Sequence, residues 1–352
     1  MKPLTIYSES TAAHLQFDWK EVDCFFRPQA VVCDRIGPGY GLLFLYLASF
    51  HKMFEFRGGL ERAGDAYFSN MQTVLAEIAG LELQTRAVPY DGDITAALKE
   101  LPLSEKPVII PVNIRALPWY RDFQKTDQVH YLIVTDDNEA DGAFTVLDNL
   151  QVDEDNESRT FAPLAMPGDL LSGIAELYRA TYLDRNACYW ILTIERSGDA
   201  RRKSENEISL LVLSEYLQPT LALRTSATVP SSLDARYLQR LQGAHDLCDM
   251  AEFEVLMRSY LAATNFANVS LKLLAQVANQ RSSEVGREVS SQLDQYLSTS
   301  SILRSKLMVK CLITSHTMLP PGHWSEAAAE FTSLSDRLQE RLSNLIAQLD
   351  GE

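Results

Sequence analysis

The sequence predicts an α+β domain over residues 1–198 followed by an all-α domain over residues 205–352. Three observations predict it. Runs of β-branched and aromatic residues occur only before residue 195, whereas beyond residue 207 apolar positions recur at three- and four-residue spacing alone. The stretch between, SGDARRKSENE at 197–207, is polar and aperiodic, as a linker is. The charge balance also changes there: residues 1–200 hold 17 basic and 30 acidic side chains, a net of −13, and residues 201–352 hold 15 and 17, a net of −2. A chain of 352 residues is long for one core, which again favours two domains.

Taken in order, Pro28 to Arg35 reads as a helix, and Phe68 to Ala79 as another that ends at Gly80. Glu82 to Pro89 reads as a strand. The turn formers Tyr90-Asp91-Gly92-Asp93 lead into a short helix from Ile94 to Leu101. Pro107 to Ile114 is rich in β-branched residues and reads as a buried strand. His130 to Thr135 and Ala143 to Asp148 are strands flanking an acidic run of turn formers, and Tyr189 to Ile194 is the last strand of the domain. The second domain is helical over Leu233 to Leu261, Val269 to Ala278, Ser301 to Ile313 and Trp324 to Leu349, with Pro320-Pro321-Gly322 breaking the series before its last helix.

Composition narrows the function. A formal charge of −15 argues against broad nucleic-acid binding, which needs a basic surface to displace counterions. The N-terminus lacks the basic start and apolar core of a signal peptide, and the longest apolar run, Leu42 to Ser49, is too short to span a bilayer. Five cysteines, odd in number and without CxxC spacing, suggest neither a disulfide framework nor a zinc site. The expectation is a soluble, reduced, cytoplasmic protein with no membrane partner.

The hairpin brings two chemically useful groups together. With a turn centred on Glu139, opposed residues have numbers summing to 278, which pairs His130 with Asp148. Opposed residues point to one face with Cβ atoms roughly 5 Å apart. A histidine fixed by a carboxylate can take a proton from a thiol and return it to a leaving group. Cys24 is the thiol expected to supply it. It follows Asp23 and precedes the first helix, where a helix N-terminus favours the thiolate. The order Cys, then His on a strand, then Asp on the next strand is that of papain-like folds.

Asp23-Cys24, the strand PVIIPVNI running into Leu117-Pro118-Trp119, and HYLIVTDDNEADGAFTVLDN together resemble the N-terminal-like family of butirosin biosynthesis protein H. That family is related to the C39-like cysteine peptidases, and the resemblance covers roughly residues 20–195. It implies a papain-like cysteine-protease-type domain that takes an acyl group from a carrier-protein thioester. The acceptor is an amine or another nucleophile, in the setting of natural product biosynthesis. By this resemblance Cys24 matches the nucleophile, His130 the base and Asp148 its orienting carboxylate. No metal or redox cofactor is needed, because the phosphopantetheine arm belongs to an acyl or peptidyl carrier protein. The backbone N–H of Cys24 is the natural oxyanion donor, and Gln16, the sole upstream glutamine, is the side-chain candidate. Arg115, Arg121 and Lys125 in the loop before His130 could receive an acidic carrier or a phosphopantetheine phosphate.

Two alternatives stand beside this reading. The same triad would serve a thioesterase or peptidase-type hydrolase. C39-type enzymes usually show Cys-Gly-Pro, whereas here Gly37-Pro38 follows Ile36; were that segment the counterpart, the domain would be a pseudoenzyme acting as an interaction module. Asp137 to Asp148 has the spacing of a calcium loop but strand-like flanks, so an acidic turn is the better reading. Gly37 to Gly41 lacks the Lys-Ser/Thr of a phosphate loop. Cys33, Cys188, Cys248 and Cys311 sit among apolar neighbours and are expected in the core.

Overall fold

The computed structural model describes residues 25–45 apart from 38 and 42, 75–76, 80–120, 123–138, 142–148, 163–197, short pieces between 203 and 212, and 233–349 with breaks at 248–249, 281–282 and 314–322. At 151–152 and 158–159 it describes the backbone alone. The chain divides into two compact units, Met1–Phe44 with Gly80–Arg202, and Leu45–Ala79 with Lys203–Glu352. The change at Lys203 falls inside the polar stretch. The protein is mixed α+β, with an antiparallel sheet in the first unit and, among the described residues of the second, helices.

The first unit contains α1 (Phe26–Ile36), β1 (Leu81–Val88), α2 (Ile94–Lys99), β2 (Val108–Asn113), β3 (Val129–Asn138), β4 (Ala143–Leu147), a two-stranded ribbon of β5 (Gln151–Val152) and β6 (Ser158–Arg159), β7 (Pro163–Pro167), α3 (Gly168–Tyr182) and β8 (Tyr189–Arg196). The main sheet runs β1-β8-β2-β3-β4-β7, antiparallel throughout. The last strand is thus inserted between the first two. The elements expected from sequence leave 163–182 unassigned; β7 and α3 occupy it. Leu171, Ile174 and Ala175, at helical spacing, bury one face of α3 on the sheet.

Every residue of β2 is buried, because both of its faces are covered. Val108, Ile110 and Val112 join Leu132, Val134, Phe144, Val146, Tyr189 and Ile191 in the core beneath α2 and α3. Ile109 and Ile133, of the opposite parity, are also fully buried, and α1 packs on β8, β2 and β3. On that second face the ring of Phe25, just before α1, lies 4.7 Å from that of Tyr131. Pro111 is tolerated in a central strand because pairing of β2 with β8 stops at Ile109, so its missing N–H breaks no ladder bond. Its carbonyl accepts instead from the Tyr189 hydroxyl at 2.5 Å.

Three sequence expectations change. The helix expected from Pro28 begins two residues earlier, at Phe26, and Phe25 already has helical dihedrals (φ −77, ψ −40). Proline is acceptable in a first turn, where its N–H would have no helical acceptor. Leu233 to Leu261 is not one helix but parts of two, α4 (Leu233–Asp246) and α5 (Met250–Gln280), the second absorbing Val269 to Ala278. With α6 (Glu284–Ile313), which begins well before the expected Ser301, and α7 (His323–Leu349), these pack in a ring in which α7 closes back on α4. The third change is the hairpin register, described below. The expected helix at Phe68 to Ala79 lies outside the described residues except for 75–76. Among the described residues, no helix is long and apolar enough to cross a membrane.

Candidate active site

His130 and Asp148 meet, by a route the sequence did not reveal. Near the hairpin tip Asn138 pairs with Ala143 and Asp137 with Phe144, numbers summing to 281. With that register kept, two residues whose numbers sum to an even value would face opposite sides. A β-bulge between Val134 and Asp136 inserts Thr135, after which Val134 pairs with Val146 and Ile133 with Leu147, summing to 280. Asp148 therefore continues opposite Leu132 and lies diagonal to His130. The expected direct opposition is corrected by two residues, and an even displacement preserves the face.

The result is a buried contact. The Nε2 of His130 lies 2.7 Å from Asp148 Oδ1, with the two side chains 4% and 0% exposed. An ionised carboxylate only accepts, so Nε2 carries the hydrogen and Nδ1 is left as the ring nitrogen able to take a proton. Two aromatic residues complete the cluster. The Trp119 Nε1–H donates to Asp148 Oδ2 at 2.7 Å. The Tyr120 hydroxyl lies 2.9 Å from His130 Nε2, and its ring meets the imidazole edge-on at 5.0 Å. Sequence reasoning assigned neither to the site. The available signal was a Trp-Tyr pair, each with a polar tip that seeks a partner when buried, in the loop feeding the histidine strand.

The described part of that loop, residues 114–120 and 123–128, is held by hydrogen bonds of its own and from Asn113. Asn113, fully buried at the end of β2, accepts from Arg115 N at 3.0 Å and Gln128 N at 3.3 Å through Oδ1, while its amide donates to Asp127 Oδ1 at 2.8 Å. Ile114 N donates to Gln128 O at 3.0 Å, closing the loop's base. Gln124, in the left-handed region at φ 59, lets its N–H reach Arg115 O at 3.0 Å. Leu117 is fully buried and anchors the turn in the core.

Cys24, Gln16 and Arg121 lie outside the described residues. Arg115 is exposed and paired with Asp127 at 3.4 Å, and Lys125 is exposed in the same loop. Cys33 is fully buried on α1, and burial, with Asp34 beside it, pushes its thiol well up, which makes it a core residue. Cys188 is partly buried. Cys248 and the side chain of Cys311 lie outside the described residues. Among the described residues, no group of three or more His, Cys, Asp or Glu is arranged to hold a metal ion. No protein-family model matches the chain, and no curated protein matches it.

Proposed function

We propose that the first unit is a papain-like cysteine acyltransferase domain that moves an acyl group from a carrier-protein thioester to an amine or other nucleophile. The observation that carries this reading is the buried His130–Asp148 pair, whose Nε2 is committed to the carboxylate so that Nδ1 remains for a thiol. The ring of Phe25, the residue after Cys24 in the sequence, lies 4.7 Å from that of Tyr131, the strand neighbour of His130.

In this mechanism His130 Nδ1 takes the Cys24 proton, and the thiolate Sγ attacks the thioester carbonyl. The carbon–sulfur bond to the phosphopantetheine arm breaks, and the proton passes to the departing thiolate. The acceptor amine then gives a proton to Nδ1 as its nitrogen attacks the acyl group, and that proton returns to Cys24 Sγ as the second carbon–sulfur bond breaks. Asp148 holds the ring and its tautomer throughout. The carrier would dock on the 114–128 loop. The exposed Arg115–Asp127 pair is worth about 0–1 kcal/mol, so Arg115 can exchange Asp127 for a carrier carboxylate or phosphate at little cost.

Intact-protein mass spectrometry with a panel of acyl-carrier thioesters tests this. The expected result is an acyl adduct on the unmodified protein and none on Cys24→Ala. Loss of the adduct on adding an amine marks transfer, and loss in buffer alone marks hydrolysis. No adduct across diverse donors would reject the acyl-enzyme.

A further inference from the structure

We infer that Trp119 and Tyr120 are positioning residues that fix the His130–Asp148 pair, and that Asn113 holds the loop presenting them. The role of the pair in acyl transfer rests on the function proposed above; the positioning itself does not.

A carboxylate against an imidazole can rotate about its terminal bond and exchange one oxygen for the other. Here each oxygen has its own partner: Oδ1 faces His130 and Oδ2 takes the indole N–H, both at 2.7 Å. With two different donors on fixed supports, the carboxylate has one orientation. The imidazole is held at one nitrogen, Nε2, which lies 2.7 Å from Asp148 Oδ1 and 2.9 Å from the Tyr120 hydroxyl, while the Tyr120 ring meets it edge-on. His130 stands on β3 and Asp148 directly follows β4, but the groups that orient them stand on a loop. The loop is therefore where looseness would enter, and it is the segment that Asn113 closes by receiving both Arg115 N and Gln128 N. Trp119 and Tyr120 touch the pair and need not touch substrate, which makes them positioning residues and not catalytic ones.

The test uses the full chain carrying Trp119→Phe, Tyr120→Phe and Asp148→Asn, singly and in pairs. Without any acyl donor, the ¹⁵N shifts of the His130 ring report its tautomer. The expected result is an Nε2–H imidazole in the unmodified protein, with the Nε2 shift displaced in each phenylalanine variant as a partner of that nitrogen, or of the carboxylate it faces, is lost. With donor, acylation should slow roughly 10- to 100-fold, by analogy with the loss of hydrogen-bond partners that orient metal-bound side chains, while KM stays unchanged. In the Asp148→Asn background, Trp119→Phe should slow it little further, because the indole would act only through the lost carboxylate. A merely structural role would instead give equal losses in both backgrounds and unchanged ring shifts, and either result overturns the inference. Should Trp119→Phe fail to fold, the indole N–H of the unmodified protein serves: it should exchange slowly, and its ¹H shift should move in Asp148→Asn. An indole signal identical in the two proteins would reject the contact. Coupled ring shifts with no acylation by any donor would keep the positioning and sink the proposed function. Normal acylation with unaffected variants would do the reverse.

Discussion

Replacing Asp148 separates stability from chemistry at one position. Its side chain is fully buried and accepts from two donors, His130 Nε2 and Trp119 Nε1. Asp148→Ala leaves the Trp119 N–H without its acceptor in a dry site, at about 1–3 kcal/mol, and His130 Nε2 with the Tyr120 hydroxyl alone, at about 1 kcal/mol, so a loss of roughly 2–4 kcal/mol is expected. That is a large part of the ~5–15 kcal/mol holding an ordinary domain together. Asp148→Asn differs. The amide keeps the size and one acceptor oxygen, which can stay on the Trp119 N–H. Its NH₂ then faces Nε2, and the imidazole avoids a donor–donor clash by moving its hydrogen to Nδ1. Stability should change by less than about 1.5 kcal/mol, one neutral hydrogen bond having replaced one charged one. The nitrogen needed as a base is now protonated, and adduct formation should fall on the order of 10³- to 10⁴-fold, as it does when an orienting carboxylate elsewhere is made an amide. Urea melts give the stabilities, ¹⁵N shifts the tautomer, and mass spectrometry the adduct. An Asp148→Asn protein that keeps the Nε2–H tautomer, or an Asp148→Ala protein within 1 kcal/mol of the parent (~ the worth of one ordinary hydrogen bond), would refute the reasoning.

Two further outcomes concern the scaffold. Asp93 caps α2 by accepting from Thr95 N at 2.9 Å and Ala96 N at 3.2 Å. The Thr95 hydroxyl and the Ala96 N–H hold its carboxyl below the usual carboxylate range. Asp93→Ala should cost about 1 kcal/mol at neutral pH. Because the folded value is depressed, that deficit is complete above the ordinary carboxylate range and disappears as pH falls through the folded value; urea melts from acid to neutral pH check this. Tyr189→Phe should cost about 1–3 kcal/mol, because the Pro111 carbonyl loses its buried donor. Burial pushes the Tyr189 phenol well up, so the unfolded chain ionises first and the parent loses stability as pH rises above about 10. The deficit of the variant should therefore narrow in alkaline melts, and a constant gap would contradict it.

What the sequence determined by itself is the type, strand or helix, of most segments, with 163–182 left unassigned. The type follows from a period of 2 or 3.6, a property of consecutive residues. The strands at Leu81–Val88, Val108–Asn113 and Tyr189–Arg196 fall within two residues of their expected bounds for that reason. The same parity brought His130 beside Asp148 from a register wrong by two, since an even error keeps the face. The tertiary structure alone decided the rest. The bulge at Thr135, without which the pair would point to opposite sides, is a feature of the β3–β4 pairing that no composition marks. The insertion of β8 between β1 and β2 joins segments about a hundred residues apart, and the indole that fixes Asp148 comes from 29 residues away. Local periodicity fixes the direction of a side chain relative to its own element. Which partner it meets there depends on how distant elements share one core, and that is settled only when all of them pack.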